Sequence, residues 1–236
     1  MRLELHELLA DVPRVLSLDA DLLVMDDIGK LWDEGIAPSC PVRMALSSLA
    51  PFGYPALREH GFAPGALHFN SGIMDLNLDV LRTRMHEAVR VLEAHPTLLF
   101  PEMDAFNIAF QGEIGRIASR WHVQLHSYYR MFGAETAPAR LAGLIDQAEA
   151  NEAVSAPGLV HFLERWKPWH SDAEENHGEF AVAWRRFAME TTWASEVDGF
   201  ARSTTSARVK KALKEALRPL GTVSYTHLTL PTSDLV

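Results

Sequence analysis

The chain has 236 residues, 22 Lys+Arg against 31 Asp+Glu for a formal net charge of −9, and a hydrophobic fraction of 47%. That composition supplies one large core or two small ones, while the acidic balance, with no basic tract longer than Lys210-Lys211, argues against sequence-independent binding to nucleic acid or to an anionic membrane. Apolar stretches are broken by charge or proline before the roughly 18 residues that a membrane span needs, acids stand where a signal peptide needs an apolar run, and the single Cys40 allows neither an internal disulfide nor an all-thiolate zinc site, so a cytoplasmic protein is expected.

In chain order, Arg14 to Leu18 reads as a buried strand that resumes as Leu22 to Met25 after two acids. Val42 to Leu46 and His68 through Leu76 also read as extended, the second punctuated by the turn formers Asn70-Ser71-Gly72. From Leu78 the period becomes helical, with Leu78, Leu81, Met85, Val89 and Leu92 on one face, Asn77 able to cap the start and Pro96 beyond the end. Ala105 to Phe110 continues as a short helix, Trp121 to Leu125 as a strand, Ala137 to Ala150 as a polar helix and Gly158 to Phe162 as a strand. Strands separated by helices predict an α/β layer architecture. After Pro168, Phe180, Trp184 and Phe187 share one helical face, and Val209, Leu213 and Leu217 share another, with Gly199 to Ser206 as a linker.

Three runs could carry chemistry. Asp19-Ala20-Asp21 leaves a buried strand, and in extended chain residues i and i+2 project to the same side, so the two carboxylates can share a hard divalent cation. The alternative is that the acids cap a turn. Phe69-Asn70-Ser71-Gly72 couples an amide donor and acceptor to a glycine that lets backbone approach a ligand. In His161 to Trp169, an imidazole at a strand end and Lys167 six residues on could serve a metal and a phosphate. His122 and His126 stand four apart, but Val123 follows the first, so the metalloprotease helix motif is absent and both read as core or surface histidines.

Taken in order, Val15 to Val24 with Asp27 to Trp32, then Phe69 to Gly72, then Pro101-Glu102-Met103-Asp104-Ala105-Phe106-Asn107, then His161 to Trp169, resemble glycosyltransferase family 8, whose members use nucleotide sugars. Trp121 resembles the family's Trp-Asn strand. The resemblance implies an α/β fold of GT-A type, a Rossmann-like mixed sheet with flanking helices. It implies transfer of a hexose from UDP-galactose or UDP-glucose, with retention, to a glycan or lipopolysaccharide-type acceptor. The cofactor implied is Mn²⁺, or Mg²⁺ in its place, on Asp19, Asp21 and His161. It assigns Lys167 to the pyrophosphate, Asn70, Ser71 and Gly72 to the donor sugar, and Asp104 with Met103 to the reacting centre. Met103 stands where the family usually has Gln, and Glu164 where it usually has Gly.

The same resemblance implies a chain that starts partway through the family's fold, at a helix over Met1 to Leu9. The division expected is a partial catalytic domain over 1–170, a helical segment over 171–221 and a tail over 222–236 that resembles translated sequencing-adapter read-through. Peripheral contact with a membrane is compatible with such an enzyme. Two readings from other classes are a haloacid-dehalogenase-like phosphatase using Asp19 as nucleophile and a non-catalytic relative that binds a sugar nucleotide or glycan.

Overall fold

The apolar run before the two acids forms β1 (Arg14–Leu18) and the run after them forms β2 (Leu22–Val24). The two strands join different sheets in this computed structural model, which describes residues 2–47, 53–124, 144–163, 167–170, 173–174 and 178–197. The first sheet has the order β1-β4-β3-β5, with β3 at Val42–Leu46, β4 at Phe69–Asn77 and β5 at Gly115–Ile117. β4 runs antiparallel to both β1 and β3, and β5 lies parallel to β3. The second has the order β2-β7-β6, with β6 at Val123–Gln124 and β7 at Leu159–His161; β7 is antiparallel to β2 and parallel to β6. Mixed sheets packed against helices bear out the α/β expectation.

The first sheet is covered on both faces, so apolar side chains of β3 and β4 are buried on either side of it. On one side Val42, Met44, Phe69, Met74 and Leu76 pack against Leu78, Leu81 and Met85 of α3 (Leu78–Ala94) and against Ala105 and Phe106 of α4 (Pro101–Ala109). On the other, Ala45, Ile73 and Ile117 pack with Leu31, Trp121 and Leu159. Leu31 comes from the short α2 (Gly29–Asp33), and α1 (Leu5–Leu8) sends Leu5 against the first core. A buried carboxylate, Asp75, is held by a two-pronged bond from Arg14 at 2.7 and 2.8 Å. In the second sheet Leu23, Val123, Val160 and Phe162 pack with Ala153 of α5 (Gln147–Ser155) and Phe180 of α6 (Glu179–Met189). Phe180 therefore completes the core of this sheet, whereas Phe187 of the expected helical face is 51% exposed.

Local sequence accounts for most boundaries. The Asn77 side chain accepts from the Val80 amide and starts α3 as expected. Four other segments differ. α4 begins at Pro101 rather than Ala105, because proline suits a first turn and Asp104 accepts the amide of Phe100 at 2.9 Å. The Asn70-Ser71-Gly72 segment is a bulge inside β4: Met44 faces Met74 but Ala45 faces Asn70, so the intervening residues loop out without ending the strand. Trp121 closes a 3-10 turn, Ser119–Trp121, before a strand of two described residues, because its ring turns inward against Gly158. There a Cβ would come within 2.3 Å of the indole. α5 starts after Asp146, which caps the amide of Glu149 at 2.8 Å. Leu125, His126 and residues 137–143 of the expected polar helix lie outside the described residues, as do Glu164, the linker, the Val209-to-Leu217 face and the tail.

Candidate active site

Asp19-Ala20-Asp21 is the step by which the chain crosses from one sheet to the other. The Asp19 amide donates to the carbonyl of Gly72 at 2.9 Å, tying it to the first sheet, and the Asp21 carbonyl accepts from the Phe162 amide at 3.0 Å, tying it to the second. Register does the rest. Leu22 faces His161 across β2 and β7, so the imidazole lies beside the acids although 140 residues separate it from Asp21. His161 Nε2 stands 3.1 Å from Asp21 Oδ1 and 3.8 Å from Asp19 Oδ2.

One ligand atom from each of Asp19, Asp21 and His161 lies within 4.8 Å of the others, the one such cluster among the described residues. Ligands of a common ion at about 2.0–2.6 Å can stand up to about 5 Å apart, so the three fit one divalent cation. Two carboxylates and an imidazole suit a hard or borderline divalent metal, and three protein ligands leave further coordination positions open.

Two basic side chains close the electrostatic balance. Lys167 Nζ contacts the Asp21 carboxylate and donates to the Phe162 carbonyl at 2.6 Å. Arg2 contacts Asp19 and also donates to Glu102, from its amide and from its guanidinium, each at 3.1 Å. Burial alone would raise the Asp21 carboxyl, but the hydrogen bonds from His161 and Lys167 outweigh it and hold the group well below the usual carboxylate range.

The donor loop meets this cluster through Gly72. A Cβ there would lie 2.3 Å from His161 Cε1 and 2.6 Å from Nδ1, so only glycine lets the ring sit where it does. Asn70 Oδ1 accepts the Gly72 amide at 2.7 Å and so shapes the bulge that carries half-buried Ser71. The residues assigned to the reacting centre lie on α4. Asp104 is fully buried, with Oδ2 accepting from the Tyr54 hydroxyl at 2.7 Å and from the Phe100 amide at 2.9 Å, and Oδ1 lying 3.5 Å from His68 Nε2. Its carboxylate is consumed in fixing the first turn of α4. Met103 is buried beside it, 7% exposed. The acid of this helix that reaches the cluster is Glu102, through Arg2.

His122 and Gln124 are the residues that sequence reading missed. His122 stands just before β6 and Gln124 ends it, in register with His161. His122 Nε2 is 2.7 Å from His161 Nδ1 inside the protein. Desolvation first, and then the neighbouring His161, push the His122 imidazole well below its ordinary range, so it is neutral. Spacing within the Trp121-to-Leu125 run places positions 122 and 124 on one side of a strand, but nothing local says which strand lies next to it. Arg2, on the chain's first turn, was likewise legible only as a charge.

The family profile described as "Glycosyl transferase family 8" matches residues 1–173. A curated relative, General stress protein A of Bacillus subtilis (strain 168), is 29% identical over 181 residues, covering 73% of this chain and 59% of the relative. Among solved structures, the galactosyltransferase LgtC in complex with donor and acceptor sugar analogs superposes with a TM-score of 0.61 at 24% identity, covering 77% of this chain and 64% of that one. The bifunctional glycosyltransferase WbbM gives 0.65 at 18% identity, covering 85% and 37%. These likenesses identify the fold as GT-A type. The chain spans about three-fifths of the length of the relative from Bacillus. Among the described residues no helix is long and apolar enough to cross a membrane.

Proposed function

The chain belongs to glycosyl transferase family 8, and from that premise we propose that it carries the donor side of a retaining, Mn²⁺-dependent transferase. It moves galactose or glucose from the UDP-sugar to a glycan or lipopolysaccharide-type acceptor in the cytoplasm. The observation that carries this reading is the convergence of Asp19, Asp21 and His161 across 140 residues of sequence at the seam of two sheets. A turn cap would require neither a distant imidazole nor a glycine cleared for its ring. Family membership leaves the phosphatase reading of Asp19 without support.

In this reading the two acids and His161 Nε2 hold Mn²⁺, or Mg²⁺ in its place, which supplies neutralisation of the diphosphate charge that grows as UDP departs. Lys167 and Arg2 stand against the acids' charge. Lys167 would donate to the pyrophosphate, and Arg2 to anionic or hydroxyl oxygens nearby. Asn70 holds the bulge, leaving Ser71 and the backbone around Gly72 to line the donor sugar. Asp104 acts on the reaction by locking the start of α4, which presents Met103 and Glu102 in a fixed direction. Met103 offers the sugar no amide hydrogen bonds, because a thioether is only a weak acceptor.

The test is UDP release from UDP-galactose and UDP-glucose, with Mn²⁺ and with a chelator. Mn²⁺-dependent release that disappears in Asp21→Ala is expected. Binding without turnover would select the non-catalytic relative, and release indifferent to the chelator would remove the metal role.

A further inference from the structure

His161 touches more than its acids. Its ring is 2% exposed, clamped on one side by Gly72 and hydrogen-bonded at Nδ1 to His122, which is 1% exposed. His122 Nδ1 lies 3.0 Å from Gln124 Nε2, and that same nitrogen donates to the Leu46 carbonyl at 3.2 Å. A carbonyl only accepts, so Leu46 fixes the amide with its NH₂ toward His122. An amide nitrogen only donates, so His122 Nδ1 accepts and the neutral ring carries its proton on Nε2. That proton goes to His161 Nδ1, which leaves the His161 proton on Nε2, facing Asp21 at 3.1 Å. The backbone of β3 thus dictates, through two side chains, the tautomer of the candidate ligand.

We propose that His122, held by Gln124, is a positioning residue that sets which nitrogen of His161 carries the proton and thereby how readily Nε2 takes a divalent cation. The proposal rests on the cation reading above and adds a device to it. A ligating imidazole must present a lone pair at one nitrogen and donate from the other to a fixed acceptor. For His161 that acceptor is His122 Nε2, which is available only if His122 moves its own proton to Nδ1. Gln124 Oε1, buried without a hydrogen-bond partner among the described residues, then receives it when the amide turns over. His122 Nε2 gives its proton to His161 Nδ1, the His161 Nε2 proton leaves to solvent, and His122 Nδ1 gains one from solvent. Each ring ends with one proton, as it began. What the reversal costs is the hydrogen bond between Gln124 and Leu46, and what it gains is a fixed acceptor for the His161 Nδ1 proton, which holds Nε2 free for a cation.

Two measurements on the full chain test this. In the metal-free protein, ¹⁵N spectra of the imidazoles should find His161 and His122 both protonated at Nε2. In titrations of Mn²⁺, with and without UDP, His122→Phe should weaken cation binding about ten- to a hundred-fold. His122→Gln, whose amide stands near the place of imidazole Nε2 and can donate or accept, should restore it to within a few-fold. Unchanged affinity in His122→Phe, no recovery in His122→Gln, or a His161 proton on Nδ1 in the metal-free chain would each overturn the proposal. A wild-type chain that binds no Mn²⁺ overturns the cation reading and the affinity half together, and the spectra still decide the pairing, whether or not the Phe variant folds.

Discussion

The two sheets hold their carboxylates in opposite ways. In the four-stranded sheet Asp75 is sealed from solvent, with Arg14 across both its oxygens and Arg43 3.4 Å away, between faces covered by α3 and α4 on one side and Trp121 on the other. At the seam with the three-stranded sheet, Asp19 and Asp21 keep 34% and 19% of their side chains exposed, and their partners are an imidazole, a lysine and an arginine that could each be exchanged for a cation. A buried acid matched permanently by guanidinium serves the fold. An acid left at a seam, beside a histidine from far along the chain, is available for chemistry.

The sharpest way to break that contrast is substitution on both sides of it. Asp75→Ala strands the half-buried Arg14 guanidinium, while Arg43 keeps Glu34 at 2.8 Å, and should cost about 3–5 kcal/mol in denaturant unfolding. Asp19→Asn should change stability by no more than about 1 kcal/mol while removing Mn²⁺ binding. Equal stability losses in the two would mean that the seam acids are structural. Next in size is Gly72→Ala, whose methyl group collides with the His161 ring. Forcing that shift should cost about 1–3 kcal/mol, together with most of the cation affinity, and a variant that keeps wild-type affinity would show that the ring has room to spare.

What the sequence disclosed follows the same division. β1, β3, β4 and α3 were legible because their signals are local: an apolar run, a change of period at Leu78, a cap at Asn77. The pair Asp19 and Asp21 was legible because residues i and i+2 lie on one side of extended chain. That His161 completes the set came from family resemblance alone, since strand register between β2 and β7 is a tertiary fact. The partners of Asp104 were hidden for a related reason. In sequence it is one of two acids in Glu102-Met103-Asp104, and only the positions of Tyr54 and the Phe100 amide reveal that its carboxylate is bonded at a helix start. The bulge in β4 read as a turn because Asn, Ser and Gly signal both, and the pairing of β3 beside it decides between them.

A smaller effect sharpens the assignment of Asp104 to the fold. Burial first, and the hydrogen bond to Asp104, push the Tyr54 phenol up to about 12, against an opposing contact from the Leu99 amide. Because the folded state holds this proton more tightly than the unfolded one, the linked stability is complete below about pH 10 and drains as the pH rises toward 12. Tyr54→Phe should flatten that part of the stability profile. An ordinary tyrosine titration near 10 would mean that Tyr54 and Asp104 are not paired in solution.

The central claim, that Asp19, Asp21 and His161 form one cation site where two sheets meet, is tested most directly by anomalous diffraction from crystals of the chain grown with Mn²⁺. The account predicts a single strong peak about 2.0–2.6 Å from a carboxylate oxygen of each aspartate and from His161 Nε2, with Lys167 withdrawn from Asp21. A peak elsewhere, or none between these three side chains at saturating Mn²⁺, would contradict it.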